Sequence, residues 1–141
     1  MKARFEDCLS RGKIVRIRKD PGLVAKELRE ADRDLAAAEK TLADGNEKWA
    51  IIQGYYAMFH ACRALIYSLG YREKSHLCLQ HAIEALFVDE GLLPAEILGE
   101  FSHGMGLRES ADYGSVYDRS SAQDLVLSAR KVVSAARGIL P

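Results

Sequence analysis

Cysteine is sparse and badly spaced for cross-linking. Cys8, Cys62 and Cys78 form an odd, scattered set without a CxxC pair, so neither a disulfide framework nor a zinc site is expected, and a reducing, cytoplasmic setting fits that usage. Only three prolines occur in 141 residues, aromatic side chains make up 8%, and no alternating apolar pattern argues for a strand. Net charge is absent as well: twenty Lys and Arg balance twenty Asp and Glu, which excludes a chain that coats nucleic acid by bulk charge alone. The opening stretch MKARFEDCLSRGKIVRIRK has no uninterrupted apolar run of the kind a secretory signal needs. No repeat, low-complexity tract or composition break marks a second domain, so 1–141 reads as one domain, a basic extension over 1–20 followed by a bundle over 21–138.

Signatures of several chemistries are missing too. There is no GxSxG, no phosphate-binding P-loop and no cysteine nucleophile in a recognisable setting. His60, His76, His81 and His103 follow neither HExxH nor another ligand spacing, so no metal and no cofactor is expected. GMGLRE, starting at Gly104, begins like a dinucleotide loop, but Glu109 takes its last position and no strand precedes it.

What is present is helical punctuation. With 48% hydrophobic and 28% charged residues the chain can bury a real core. A short helix over about 3–11 stops at Gly12, and Asp20 before Pro21 reads as an N-cap with proline at the first helical position. Val24, Leu28, Ala31, Leu35, Ala38 and Leu42 then form one apolar stripe that Gly45 closes. The segment 49–69, WAIIQGYYAMFHACRALIYSL, has membrane-spanning length, yet Gln53, His60 and Arg63 interrupt it, which predicts a core helix and no membrane association. Ser75 caps a shorter helix ended by Gly91, and Pro94 opens one over about 95–110 that Gly99, Gly104 and Gly106 weaken, so that a kink is compatible with it. Ser120 with Gln123, or Ser121 with Asp124, offers a capping box for the last helix. The fold class is therefore all-α, an antiparallel up-and-down bundle of four core helices with one or two short additions.

Charge is unevenly spread: seven basic residues face two acids over 1–19, and seven acids face Arg108 alone over 84–112. Such asymmetry suits an anionic ligand or a second subunit, or simply two solvated faces. In the central helix Tyr56, His60, Arg63 and Tyr67 recur at steps of four, three and four and share one face. Burying them alone costs several kcal/mol, so this row must meet acids, water, another subunit or a ligand; an internal network pairing Arg63 with a carboxylate is the plainer reading. Arg72, Lys74 and His76 in YREKSH lie at a helix start, where backbone N–H groups with Lys74 and His76 can hold a phosphate, or where Ser75 simply caps. In GLRESADYG, Arg108 and Asp112 stand four apart with Tyr113 beside them, either a site or an ordinary helix brace.

In this order and separation, YYAMFHACRAL, KSH and RESADY resemble the HEPN (higher eukaryotes and prokaryotes nucleotide-binding) domain family, closest to its small stand-alone prokaryotic branch, over roughly 21–138. The resemblance implies an antiparallel helical bundle that pairs as a homodimer. It also implies RNA or nucleotide binding, metal-independent ribonuclease activity in many members, and an antitoxin or small nucleotidyltransferase as partner. Active members carry an arginine and, four to six residues on, a histidine; Arg108 matches the arginine, but no histidine follows it anywhere in the chain. Cleavage at the neighbouring 2′-hydroxyl needs a proton acceptor and donor, tasks that suit histidine and that Asp112, an acid beside a cation, performs poorly. Cleavage would require His60, His76 or His103 to approach from elsewhere, with Arg108 and His60 as the first catalytic candidates. Arg63, Lys74, His76, Arg108, Asp112 and Tyr113 are the ligand-binding candidates.

Overall fold

A computed structural model describes residues 2–141. The chain runs α1 (Lys2–Ser10), β1 (Ile14–Arg16), α2 (Pro21–Ala43), α3 (Glu47–Ser68), β2 (Tyr71–Glu73), α4 (His76–Ile83) continuing into a π-helical turn (Glu84–Val88), α5 (Ala95–Asp112) and α6 (Arg119–Ile139). The helix boundaries follow local chemistry. Asp20 accepts from Gly22 N with Pro21 at the first position, Asn46 accepts from Trp49 N, and Ser75 accepts from Cys78 N. The chain leaves α3 through Gly70 at φ +83°, a left-handed conformation that only glycine adopts without strain. At α6 the capping box does not form: Asp118 is the N-cap and accepts from Ser121 N, because the helix starts earlier, at Arg119.

α2, α3, α5 and α6 form the bundle, and its directions can be read from side chains that meet. Asp32 and Glu39 of α2 pair with Arg137 and Arg130 of α6, so these helices are antiparallel. Gly104 of α5 lies against Met58 of α3, and Arg108 against Tyr56, so these are antiparallel also. α3 packs on all three others, including its diagonal partner α6. That diagonal contact has a local cause. A Cβ on Gly54 would stand 2.4 Å from Leu125 Cδ2, and Ala57, Ala61, Ala122 and Ala129 are all fully buried, so small residues let the two axes approach. α5 keeps its helical ladder unbroken through Gly99, Gly104 and Gly106, and at Gly104 a Cβ would stand 2.4 Å from Met58 Cε. Among the described residues no helix is long and apolar enough to cross a membrane.

Two further features depart from the sequence reading. A two-stranded antiparallel ladder pairs Ile14 with Glu73 and Arg16 with Tyr71, in strands too short for alternation to show. The second is a disulfide between Cys8 and Cys78, with Cα atoms 5.9 Å apart, where no disulfide was expected. The partners lie 70 residues apart, so only the docking of α1 onto α4 brings them together; spacing alone could not reveal the pair. Cysteine usage therefore carries no argument about compartment. Cys62 stays free and buried, its thiol pushed up by burial.

Candidate functional site

The polar row on α3 separates into two environments around two arginines of similar, low exposure. Arg63 is saturated. Its Nη1 lies 3.0 Å from Glu27 Oε1 on α2, its Nε donates to Glu73 Oε1 at 3.2 Å on β2, and its Nη2 donates to the Tyr67 hydroxyl. His60 completes the cluster, with Nδ1 2.5 Å from the other Glu27 oxygen and Nε2 3.6 Å from Asp34. Burial raises the Glu27 carboxyl, but the His60 bond and the Arg63 charge prevail and hold it below its ordinary range. At Glu73 burial wins over Arg63 and lifts the pKa.

Arg108 is different. Its Nη2 donates to Tyr56 Oη at 3.2 Å and stands 3.9 Å from Asp112 Oδ2, too far for a hydrogen bond. Its Nε is buried with no partner. The guanidinium carbon lies 5.5, 5.6 and 5.8 Å from the ring centroids of Tyr55, Tyr56 and Tyr113, so π faces supply part of the compensation that Arg63 receives from carboxylates. The side chain is 15% exposed, close to the 17% of Arg63, so burial does not distinguish the two; neutralisation does. A guanidinium paired with no carboxylate at hydrogen-bond distance keeps charge and donor capacity that can serve an anion such as phosphate.

His76, the first residue of α4, shares this aromatic floor. It stacks on Phe59 at 4.4 Å and on Tyr55 at 5.7 Å, and its Nδ1 is 2.5 Å from Tyr55 Oη. Burial pushes the Tyr55 phenol far up, so it keeps its proton and donates it to Nδ1, its one hydrogen-bond partner. Burial, then the charges of Arg108 and Arg63, lower the His76 pKa and keep the ring neutral. The ring proton then sits on Nε2, leaving His76 a donor toward solvent.

This arrangement has a pH signature. A histidine whose folded pKa is lowered binds its proton more readily when unfolded, so native stability falls as pH drops below the ordinary value of 6.5 toward the folded one. His81 is lowered also, chiefly by burial, and acts in the same direction. Unfolding free energy should therefore decline between pH 7.5 and 5.5 in denaturant titrations, and less steeply in His76→Gln; equal slopes would remove His76 from this account.

Of the expected site residues, Asp112 and Tyr113 flank Arg108, and Arg108 and His76 both meet Tyr56. Arg63 and His60 belong instead to the Glu27 cluster, and the Lys74 side chain is exposed while its backbone N–H donates to Lys13 O. Tyr55, Phe59, Glu27 and Glu73 were not singled out from sequence. Tyr55 and Phe59 read as apolar core, and the two glutamates lie 36 and 10 residues from Arg63 with no spacing to connect them.

Among curated proteins, no sequence matches this chain. A family comparison does: residues 24–139, from the first turns of α2 to the end of α6, match the model of the HEPN domain. That match takes in nearly all of the four bundle helices and both arginine environments, leaving out residues 1–23 and the last two, and it places this chain in the HEPN domain family.

Proposed function

We propose that this chain binds the phosphate of RNA or of a nucleotide at Arg108, as a homodimer, and holds the ligand without cutting it. The family is associated with nucleotides and RNA, and the observation that carries the finer reading is the contrast between two equally buried arginines, one saturated by two carboxylates and one left with a phenol and a distant acid. Tyr56 and Tyr113 offer ring faces beside the free fork, a combination that suits a base next to its phosphate. His76 adds a neutral N–H donor. Tyr113, Val116 and Tyr117, exposed by 77%, 66% and 46%, form an apolar rim just after Arg108 that a second copy would cover. In this reading the chain works beside an antitoxin or a small nucleotidyltransferase, the partners that the family resemblance implies.

A second reading, metal-independent cleavage, is favoured by the nearness of His76 to Arg108. It requires His76 to give up the proton of Tyr55 and expose a basic nitrogen, or His60 to leave Glu27 and Asp34. The two readings separate in one assay, 5′-labelled single-stranded RNA incubated with the protein in EDTA at about 50 mM salt, where phosphate contacts are strong. A salt-sensitive complex holding intact RNA is the expected result. Fragments that disappear in His76→Ala would establish the enzyme, and no complex at any protein concentration would end both readings.

A further inference from the structure

A cationic concavity lies away from Arg108. It is a cleft of about 380 Å³ bounded by the end of β1, the first turns of α2, the last turns of α3 and β2, and walled by Arg18, Lys26, Arg63 and Arg72 against two carboxylates, Asp20 and Glu27. Both carboxylates are already engaged. Asp20 caps α2 through Gly22 N, and Glu27 is bonded by Arg63 and His60. Arg63 is spent in turn, on Glu27, Glu73 and Tyr67. Arg18, Lys26 and Arg72, by contrast, stand within salt-bridge distance of no carboxylate among the described residues, and all three are exposed.

The three are held, not merely scattered. The ladder continues past β1, with Ile17 N donating to Gly70 O at 2.9 Å and Lys74 N to Lys13 O at 2.8 Å, which sets Arg18 near the strand carrying Arg72. Lys26 is placed one residue before Glu27 on the rigid second turn of α2. Ile17, Leu23 and the edge of Tyr67 supply an apolar part of the wall. A volume within the roughly 300–1,000 Å³ of small-molecule sites, three unpaired cations and one apolar side describe a receptor for a compact phosphate ester. Ile17, Arg18, Asp20 and Leu23 fall outside the family match of 24–139, so four of the nine lining residues come from the segment that the family pattern does not include.

We propose that this cleft is a second phosphate-binding site, formed by Arg18, Lys26 and Arg72 and independent of Arg108. The phosphate can come from a free nucleotide or from an RNA backbone, and the test distinguishes these sources. Full-length protein carrying Arg108→Ala is titrated with a fluorescent ATP analogue and with a fluorescein-labelled decaadenylate RNA, at low and at raised salt. The Arg108→Ala background should retain salt-sensitive binding, which adding Arg18→Ala and Arg72→Ala weakens at least tenfold, whereas Arg18→Lys with Arg72→Lys preserves most of it. A loss seen with the ATP analogue assigns the site to nucleotide; a loss confined to the RNA assigns it to backbone phosphate. Both alanine variants replace exposed, unpaired side chains, so an unchanged melting temperature accompanies the loss. Binding equal with and without the two alanines, or no binding of either probe in the Arg108→Ala background, overturns the proposal while leaving the Arg108 site to be judged on its own.

Discussion

Arg108→Ala should lower RNA or nucleotide affinity by roughly ten- to a hundredfold while leaving the melting temperature within a few degrees. The first figure follows from removing charge-assisted hydrogen bonds worth about 1.5–3 kcal/mol, at about 1.4 kcal/mol per tenfold. The second follows from what the guanidinium does in the free protein. Its single hydrogen bond goes to the half-buried Tyr56 hydroxyl, which water can serve once the arginine is gone, and its buried Nε has no partner to lose. Deleting an unsatisfied donor removes a cost of about 1–3 kcal/mol that offsets the lost ring contacts. Arg108→Lys keeps the charge but not the fork, and should fall between. Fluorescence anisotropy beside thermal melts decides the matter. Unchanged affinity with a melting temperature lowered by ten degrees would make Arg108 and Asp112 a brace and nothing more.

Arg63→Ala should do the reverse, destabilising the fold by about 3–5 kcal/mol, the usual effect of stranding a buried partner. Two carboxylates lose their cation, Glu27 at 7% exposure and Glu73 at 8%, with His60 left as the remaining partner of Glu27. For a chain of this size that corresponds to a drop in melting temperature of roughly 10–15 °C. Adding Glu27→Gln and Glu73→Gln to the same variant should recover much of the loss, since neutral amides do not demand a counter-charge. A loss below about 1 kcal/mol in chemical denaturation, with no recovery in the triple variant, would mean that the cluster is solvated like a surface pair.

These opposed expectations mark what the sequence could and could not convey. Caps and breakers act over three or four residues, so Asp20 with Pro21, Ser75 and the glycines at 45, 70 and 91 announced the helices they bound. The apolar stripe of α2 and the buried length of α3 were legible for the same reason, since a period of 3.6 is written in adjacent residues. The row Tyr56, His60, Arg63 and Tyr67 was visible as a demand for partners, but the partners themselves were not. Arg63 and Arg108 are both simply arginine in a sequence; Glu27 reaches the first across the α2 and α3 interface, and the rings of Tyr55 and Tyr56 reach the second across α3 and α5. The strands Ile14–Arg16 and Tyr71–Glu73 escaped notice because three residues carry no period, and the Cys8–Cys78 bond because it spans the fold. The cationic cleft escaped because its walls come from four elements; only the excess of basic residues over 1–19 hinted at it.

The missing side chain at Gly54 has a consequence for how such a domain can acquire ligands. By letting α3 and α6 touch, it squeezes a square cross-section into a rhombus whose short axis is filled by Leu125 and a row of alanines. Such a cylinder leaves little interior to hollow out, so a ligand site is more readily built on its outer corners, where an added segment can raise a rim.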